Sequence, residues 1–131
     1  MMKTFSIGGI HPSDKKISKD CKSEVLPLPS KVFVSMAQHL GAPATPVVKA
    51  GDAVKVGQVI AEPAGFISAY VHSPVSGTVK SVGPRKDLAG NNMVHVEIDV
   101  EGDEWAEGID LSEELVTAIP EDNKEILDKI K

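Results

Sequence analysis

Four histidines and one cysteine are the side chains of this chain best suited to carry chemistry. His11, His39, His72 and His95 are spread along the 131 residues with no two close together. A metal clip on a helix or hairpin needs ligands a few residues apart, so no such pair is predicted. His11 and His39 lie beside prolines or glycines in loops, where a hydrogen bond from ring to backbone is the expected role. His95 falls on the polar side of a strand-like stretch and is expected to be exposed. His72 and His95 flank one hairpin region and could lie on neighbouring strands. A nucleophilic histidine must be exposed, neutral and oriented by a second group, and that pair is the one place such an arrangement could arise. Cys21 lies among Lys19, Asp20 and Lys22, with no cysteine or histidine near it in sequence, and reads as a surface or half-buried thiol. A lone cysteine closes no internal disulfide, and it falls short of the four thiolates that hold an iron–sulfur cluster.

The elements that would position these groups are short. Residues 1–30 are irregular: Gly8-Gly9 and His11-Pro12 break any periodicity, and Pro27 and Pro29 impose an extended path. Val32, Val34 and Met36 alternate with Lys31, Phe33 and Ser35, which predicts a short strand. Gly41, Pro43 and Pro46 mark a loop. Gly51-Asp52 is a tight turn, since glycine supplies a positive φ and the aspartate bonds back to local backbone. Gly57 closes a second turn, and between the two only Val54 and Val56 can point inward. Ser76-Gly77 turns into Thr78-Val79-Lys80-Ser81-Val82. The clearest strand is 93–100, with Val94, Val96, Ile98 and Val100 on one face and His95, Glu97 and Asp99 on the other. Residues 101–112 read as a loop. Asp122 and Glu125 resemble a capping box ahead of Ile126, Leu127 and Ile130 on one helical face. This helix reaches Lys131 without a stop signal, so it is expected either to fray or to lead into a further domain. The expected organisation is an N-terminal arm with a short strand at 1–45, a core at 46–100, and an acidic loop and helix at 101–131.

Composition narrows the function classes. Hydrophobic residues make up 41% and charged residues 25%, values of an ordinary globular domain with a buried core. No apolar run approaches the length of a bilayer-spanning helix, and the start lacks a signal peptide's apolar stretch, so a soluble cytosolic chain is predicted. The net charge of −5 is unevenly placed: residues 1–96 carry +5 and residues 97–131 carry −10. Arg85 is the single arginine and aromatics are 4%, a poor match to the arginine-rich stacking surfaces of nucleic-acid binders.

Val48-Lys-Ala-Gly-Asp-x-Val-Lys-x-Gly-Gln-x-Ile-Ala61, followed by Ser73-Pro-Val-Ser-Gly-Thr-Val79, resembles the barrel-sandwich hybrid of biotinyl and lipoyl domains. The implied fold is mainly β, with an extended N-terminal arm and a short C-terminal helix. Carriers of this type attach biotin or lipoate to a lysine on the hairpin between the two motifs. Here that stretch, Glu62 to His72, contains no lysine, so neither group is expected on this chain. Gly8-Gly9-Ile-His-Pro12, Pro27-Leu-Pro29, Gln38-His-Leu-Gly-Ala-Pro-Ala44 and the two barrel motifs together resemble the N-terminal part of RnfC, a component of the Rnf electron transport complex, over most of residues 5–100.

That resemblance implies a membrane-bound, ion-translocating oxidoreductase passing electrons between ferredoxin and NAD, with RnfC peripheral on the cytoplasmic face of the bacterial inner membrane. It also implies that the FMN- and NADH-binding Gly-rich region and the cysteine-ligated 4Fe–4S clusters belong to later parts of RnfC, downstream of these residues. Gly8-Gly9 lacks the repeated glycines and following helix of a phosphate loop. No catalytic, cofactor-binding or metal residue is therefore assigned. The expected role is a non-catalytic docking or scaffold domain, whose partners are the remaining domains of its own subunit and the other subunits of the complex. Its expected contact face is the hairpin around 63–70, where Phe66, Ile67 and Tyr70 stand in the place of a carrier's lysine. Trp105, in the acidic loop, is either a core plug or a docking anchor. The alternative is a histidine phosphocarrier similar to the glucose-type sugar phosphotransferase proteins, using His72 and His95. The adaptor hairpins of membrane-fusion proteins need long helices and a secretion signal, and neither is found.

Overall fold

In the computed structural model, which describes residues 15–87, 89–115, 117 and 122–130, short strands separated by turns build two facing sheets. Strands β1 (Lys31–Ser35), β7 (Asn92–Gly102), β6 (Ser76–Lys86) and β3 (Ala53–Val54) form one sheet in the order β1-β7-β6-β3. Strands β2 (Thr45–Pro46), β4 (Val59–Glu62) and β5 (Val71–His72) form the second, in the order β2-β4-β5. The five pairings between these strands are antiparallel. A helix, α1 (Asn123–Ile130), follows. This is the mainly β barrel-sandwich hybrid with a short C-terminal helix. The Gly8–Pro12 motif and His11 lie outside the described residues.

Alternation along each strand supplies the core. Val34 and Met36 point inward from β1 and its end, Val79 from β6, and Val96 and Ile98 from β7. The smaller sheet contributes Ile60, Ala61 and Val71, while Ala44, Val54 and Val75 fill the space between. Val94 and Val100 lie on the same face as Val96 but stay partly open, Val94 the more exposed and Val100 packed against the edge of the core. Pro84 sits inside β6 without breaking a ladder, because β3 pairs only as far as Thr78 and leaves that side of β6 open.

Both expected turns form. At the first, Gly51 has φ +94°, Asp52 Oδ2 accepts from the Lys49 N–H at 2.9 Å, and the Asp52 N–H donates to the Lys49 carbonyl. At the second, the Gln58 side chain accepts from the Lys55 N–H at 3.0 Å, while the Gln58 N–H returns to the Lys55 carbonyl. Each turn also grips the segment that crosses it. The Gly51 N–H donates to the Val79 carbonyl and the Val79 N–H to the Asp52 carbonyl. The Gly57 N–H donates to the Ser73 carbonyl and the Ser73 N–H to the Gln58 carbonyl. Buried Ser73 turns its hydroxyl to the Val75 carbonyl at 2.7 Å, so no hydroxyl is stranded in the core.

Gly77 is the tightest crossing: a Cβ there would collide with the Asp99 carbonyl oxygen of β7. Gly77→Ala is expected to destabilise the domain by roughly 1–3 kcal/mol. Gly83→Ala, where a Cβ meets nothing within 4 Å, should be neutral or slightly stabilising. Urea unfolding midpoints of the two variants check this.

The outer face of the larger sheet carries charge. Glu97 on β7 faces Lys31 at 3.3 Å and Lys80 at 3.5 Å, and accepts from the Ser81 hydroxyl at 3.0 Å. Desolvation beside the strands pushes the Glu97 carboxyl up, but the Ser81 hydroxyl and the two lysines outweigh it and hold it below the ordinary glutamate value. A depressed folded value means the group adds stability above its unfolded value, and that stability is lost as pH falls through the folded one. Glu97→Gln should therefore flatten the acid limb of the stability profile, read by thermal unfolding from neutral to acid pH.

Candidate functional site

The hairpin between β4 and β5 is built by residues 63–70 and is tied to a second loop, 38–43. The Ala42 N–H donates to the Ile67 carbonyl at 2.9 Å. The Ser68 hydroxyl donates to the Ala42 carbonyl at 2.8 Å and accepts from the Ala64 N–H at 3.2 Å. The His39 ring bridges the two loops: Nδ1 faces the Leu40 carbonyl at 3.1 Å, and Nε2 faces the Ala69 N–H at 3.3 Å. A carbonyl only accepts and an amide only donates, so Nδ1 carries the proton and Nε2 is the acceptor. The expected ring–backbone role of His39 is thus met, and it spans two loops. Gly41, at φ +93°, lies directly under Ile67, and a Cβ would collide with the Ile67 carbonyl.

This bracing fixes the backbone from which the apolar side chains project. Phe66 stands fully exposed at the hairpin tip, with Ile67 beside it more than half exposed. Tyr70 turns the other way. It is half-buried and lines, with Pro63, Ala69, His72, Leu127 and Ile130, a groove of about 500 Å³ between the hairpin and α1. The helix begins as its sequence predicts, with the Lys124 N–H donating to Asp122 Oδ1 at 3.3 Å and Ile126 half-buried.

Trp105 lies apart from this hairpin. The Val56 N–H donates to the Glu104 carbonyl and the Ala106 N–H to the Val56 carbonyl, which sets Trp105 against Val56 in an isolated parallel bridge. Its ring is half-exposed beside the Gly57 turn, next to Ile109, so it is not a core plug. Lys55, with its ammonium 2.8 Å from Glu104, ties the same segment down at the surface.

The two histidines of the phosphocarrier alternative are not brought together. His72 is on β5, opposite Val59 in the smaller sheet, whereas His95 is on β7, opposite Ser35 and Gly83 in the larger one. His95 is also half-buried rather than exposed, because its Nδ1–H donates to the Met93 carbonyl at 2.8 Å and folds the ring onto the strand. Cys21 is exposed. The donor set does not fit an iron–sulfur cluster, since the chain holds one thiol, and among the described residues no three His, Cys, Asp or Glu side chains gather as a metal site. No helix among them is long and apolar enough to cross a membrane.

Leu40 carried no signal of its own in the sequence. It stands almost fully exposed on the loop that braces the hairpin. Gly41→Ala is expected to part the two loops, and the Ala42 and Ala69 amides should then exchange with solvent at least about tenfold faster while core amides of β7 keep their protection. Amide hydrogen exchange at residue level checks this.

The sequence matches, over residues 3–103, the family described as the RnfC barrel sandwich hybrid domain. It is 42% identical over 114 residues to the C component of the proton-translocating ferredoxin:NAD(+) oxidoreductase complex of Clostridium ljungdahlii, covering 86% of this chain and 25% of that protein. It is 42% identical over 100 residues to the Na(+)-translocating counterpart of Acetobacterium woodii, covering 72% and 22%. It is 44% identical over 84 residues to the C component of the ion-translocating oxidoreductase complex of Rhodobacter capsulatus, covering 63% and 16%. The chain thus spans a quarter or less of the length of these relatives.

Proposed function

We propose a function from the premise that the chain belongs to the RnfC barrel sandwich hybrid family: it is a non-catalytic docking domain of a membrane-associated electron transport complex. In this reading the whole assembly passes electrons between ferredoxin and NAD with coupled ion translocation. The domain sits peripherally at the cytoplasmic face of the bacterial inner membrane and touches the other domains of its own subunit and the other subunits. In this reading FMN, NADH and the 4Fe–4S clusters are held elsewhere in that protein; for the clusters, the single thiol here falls short of the four that ligation needs.

The observation that carries the docking role is Phe66. A fully exposed phenylalanine, on a loop held rigid from below by a second loop, occupies the hairpin where a carrier domain would present its lysine. A soluble surface rarely leaves a large aromatic on a braced protrusion without a contact to bury it, and aromatic anchors are common at interface centres.

In the gene-encoded polypeptide, Phe66→Ser should weaken capture of the other subunits of the complex by about tenfold or more, and Tyr70→Ser should weaken it less, because Tyr70 is already half-buried. Quantitative pull-down with the purified subunits checks this. Unchanged capture by both variants would overturn the docking role.

A further inference from the structure

We infer that the docking surface is a two-loop tip, in which Leu40 joins Phe66 and Ile67, and that it seats in an uncharged apolar cleft of a protein partner. This rests on the docking role proposed above and names its composition and its partner's chemistry.

Three observations carry it. Leu40 is 85% exposed, Phe66 104% and Ile67 57%, and these residues come from two loops rather than one. Those loops are locked to each other by the Ala42–Ile67, Ser68–Ala42 and His39–Ala69 hydrogen bonds, and Ile67 Cγ2 lies only 2.7 Å from where a Gly41 Cβ would be. The backbone of the tip is therefore presented as one preformed piece and loses little conformational freedom on binding. Finally, residues 32–48 and 63–79 contain no Asp, Glu, Lys or Arg, in a chain where a quarter of the residues are charged.

An exposed apolar tip without charged residues is matched by an apolar cleft that is itself free of charge, since an unpaired charge buried against it would be costly. A bilayer fits less well. The tip carries no lysine or arginine to meet anionic headgroups.

The test compares Leu40→Ser with Phe66→Ser, each in the gene-encoded polypeptide, for binding to the purified subunits of the complex. Leu40 is so exposed that its replacement should leave the melting temperature unchanged. Leu40→Ser is expected to weaken binding about tenfold, and the wild-type affinity should change less than about twofold when salt is raised tenfold. If Phe66→Ser weakens binding and Leu40→Ser does not, the docking role stands and the two-loop tip is overturned. If neither variant matters, both fall. A steep loss of affinity with salt would overturn the uncharged cleft. Sedimentation of the wild-type chain, but not of Phe66→Ser, with vesicles of phosphatidylcholine and phosphatidylglycerol would make the occupant a lipid and overturn a protein partner.

Discussion

Everything in this domain depends on how the segment 51–58 grips the segment 73–79. Four backbone hydrogen bonds, two at the Gly51-Asp52 turn and two at the Gly57-Gln58 turn, clamp the crossing chain at both ends. Between the clamps, Val54 and Val56 point inward, and Val75 and Val79 meet the same interior. The clamp leaves the crossing strand no freedom to slide, since a one-residue slip would turn its whole inward set to solvent. Gly77 marks how close the approach is, because β7 passes where a side chain would have to go.

Once that crossing is fixed, the two ends and faces of the domain have different characters. The outer face of the larger sheet is polar, with Glu97 held between Lys31 and Lys80 and the Arg85 guanidinium stacked 3.6 Å over the Phe33 ring. That stacking covers the largest apolar side chain on the face and leaves its other groups hydrated. The end formed by residues 38–43 and 63–70 has the opposite design: its polar backbone groups are turned inward to each other, and its apolar side chains are turned out. Charge on one surface and exposed apolar side chains on the other is a division of labour between staying dissolved and being recognised.

Much of the barrel was legible in the sequence because local chemistry encodes it. Gly51-Asp52 and the Gly57 turn form where glycine and a short side-chain acceptor allow them, and Val96 and Ile98 are buried because strand alternation sends them to one side. The docking site was legible only in part. Phe66 and Ile67 stood out as apolar residues in an exposed hairpin, but the bracing by His39 and Ala42 comes from a loop far away in sequence. No periodicity or turn signal announces a contact between two irregular segments, so Leu40 gave no sign of its position. Trp105 was ambiguous for the same reason: its place is set by a backbone bridge to Val56, which side-chain patterns do not report. The exposure expected of His95 was wrong because a ring–backbone hydrogen bond folds it onto the strand.

The pairing of β1 with β7 has a consequence for how the core is closed. β6 and β7 are joined by a short turn, in which Asp87 accepts from the Ala89 and Asn91 amides, so that hairpin closes a small loop. β1 instead meets its partner across most of the domain, Lys31 opposite Asp99 and Ser35 opposite His95. Loop-closure entropy disfavours the far pairing relative to the near one. Without β1, the edge of β7 is an open ladder, and Val96 and Ile98 lack Val34 and Met36. Among the described strands β1 closes the longest loop, and its pairing seals the core.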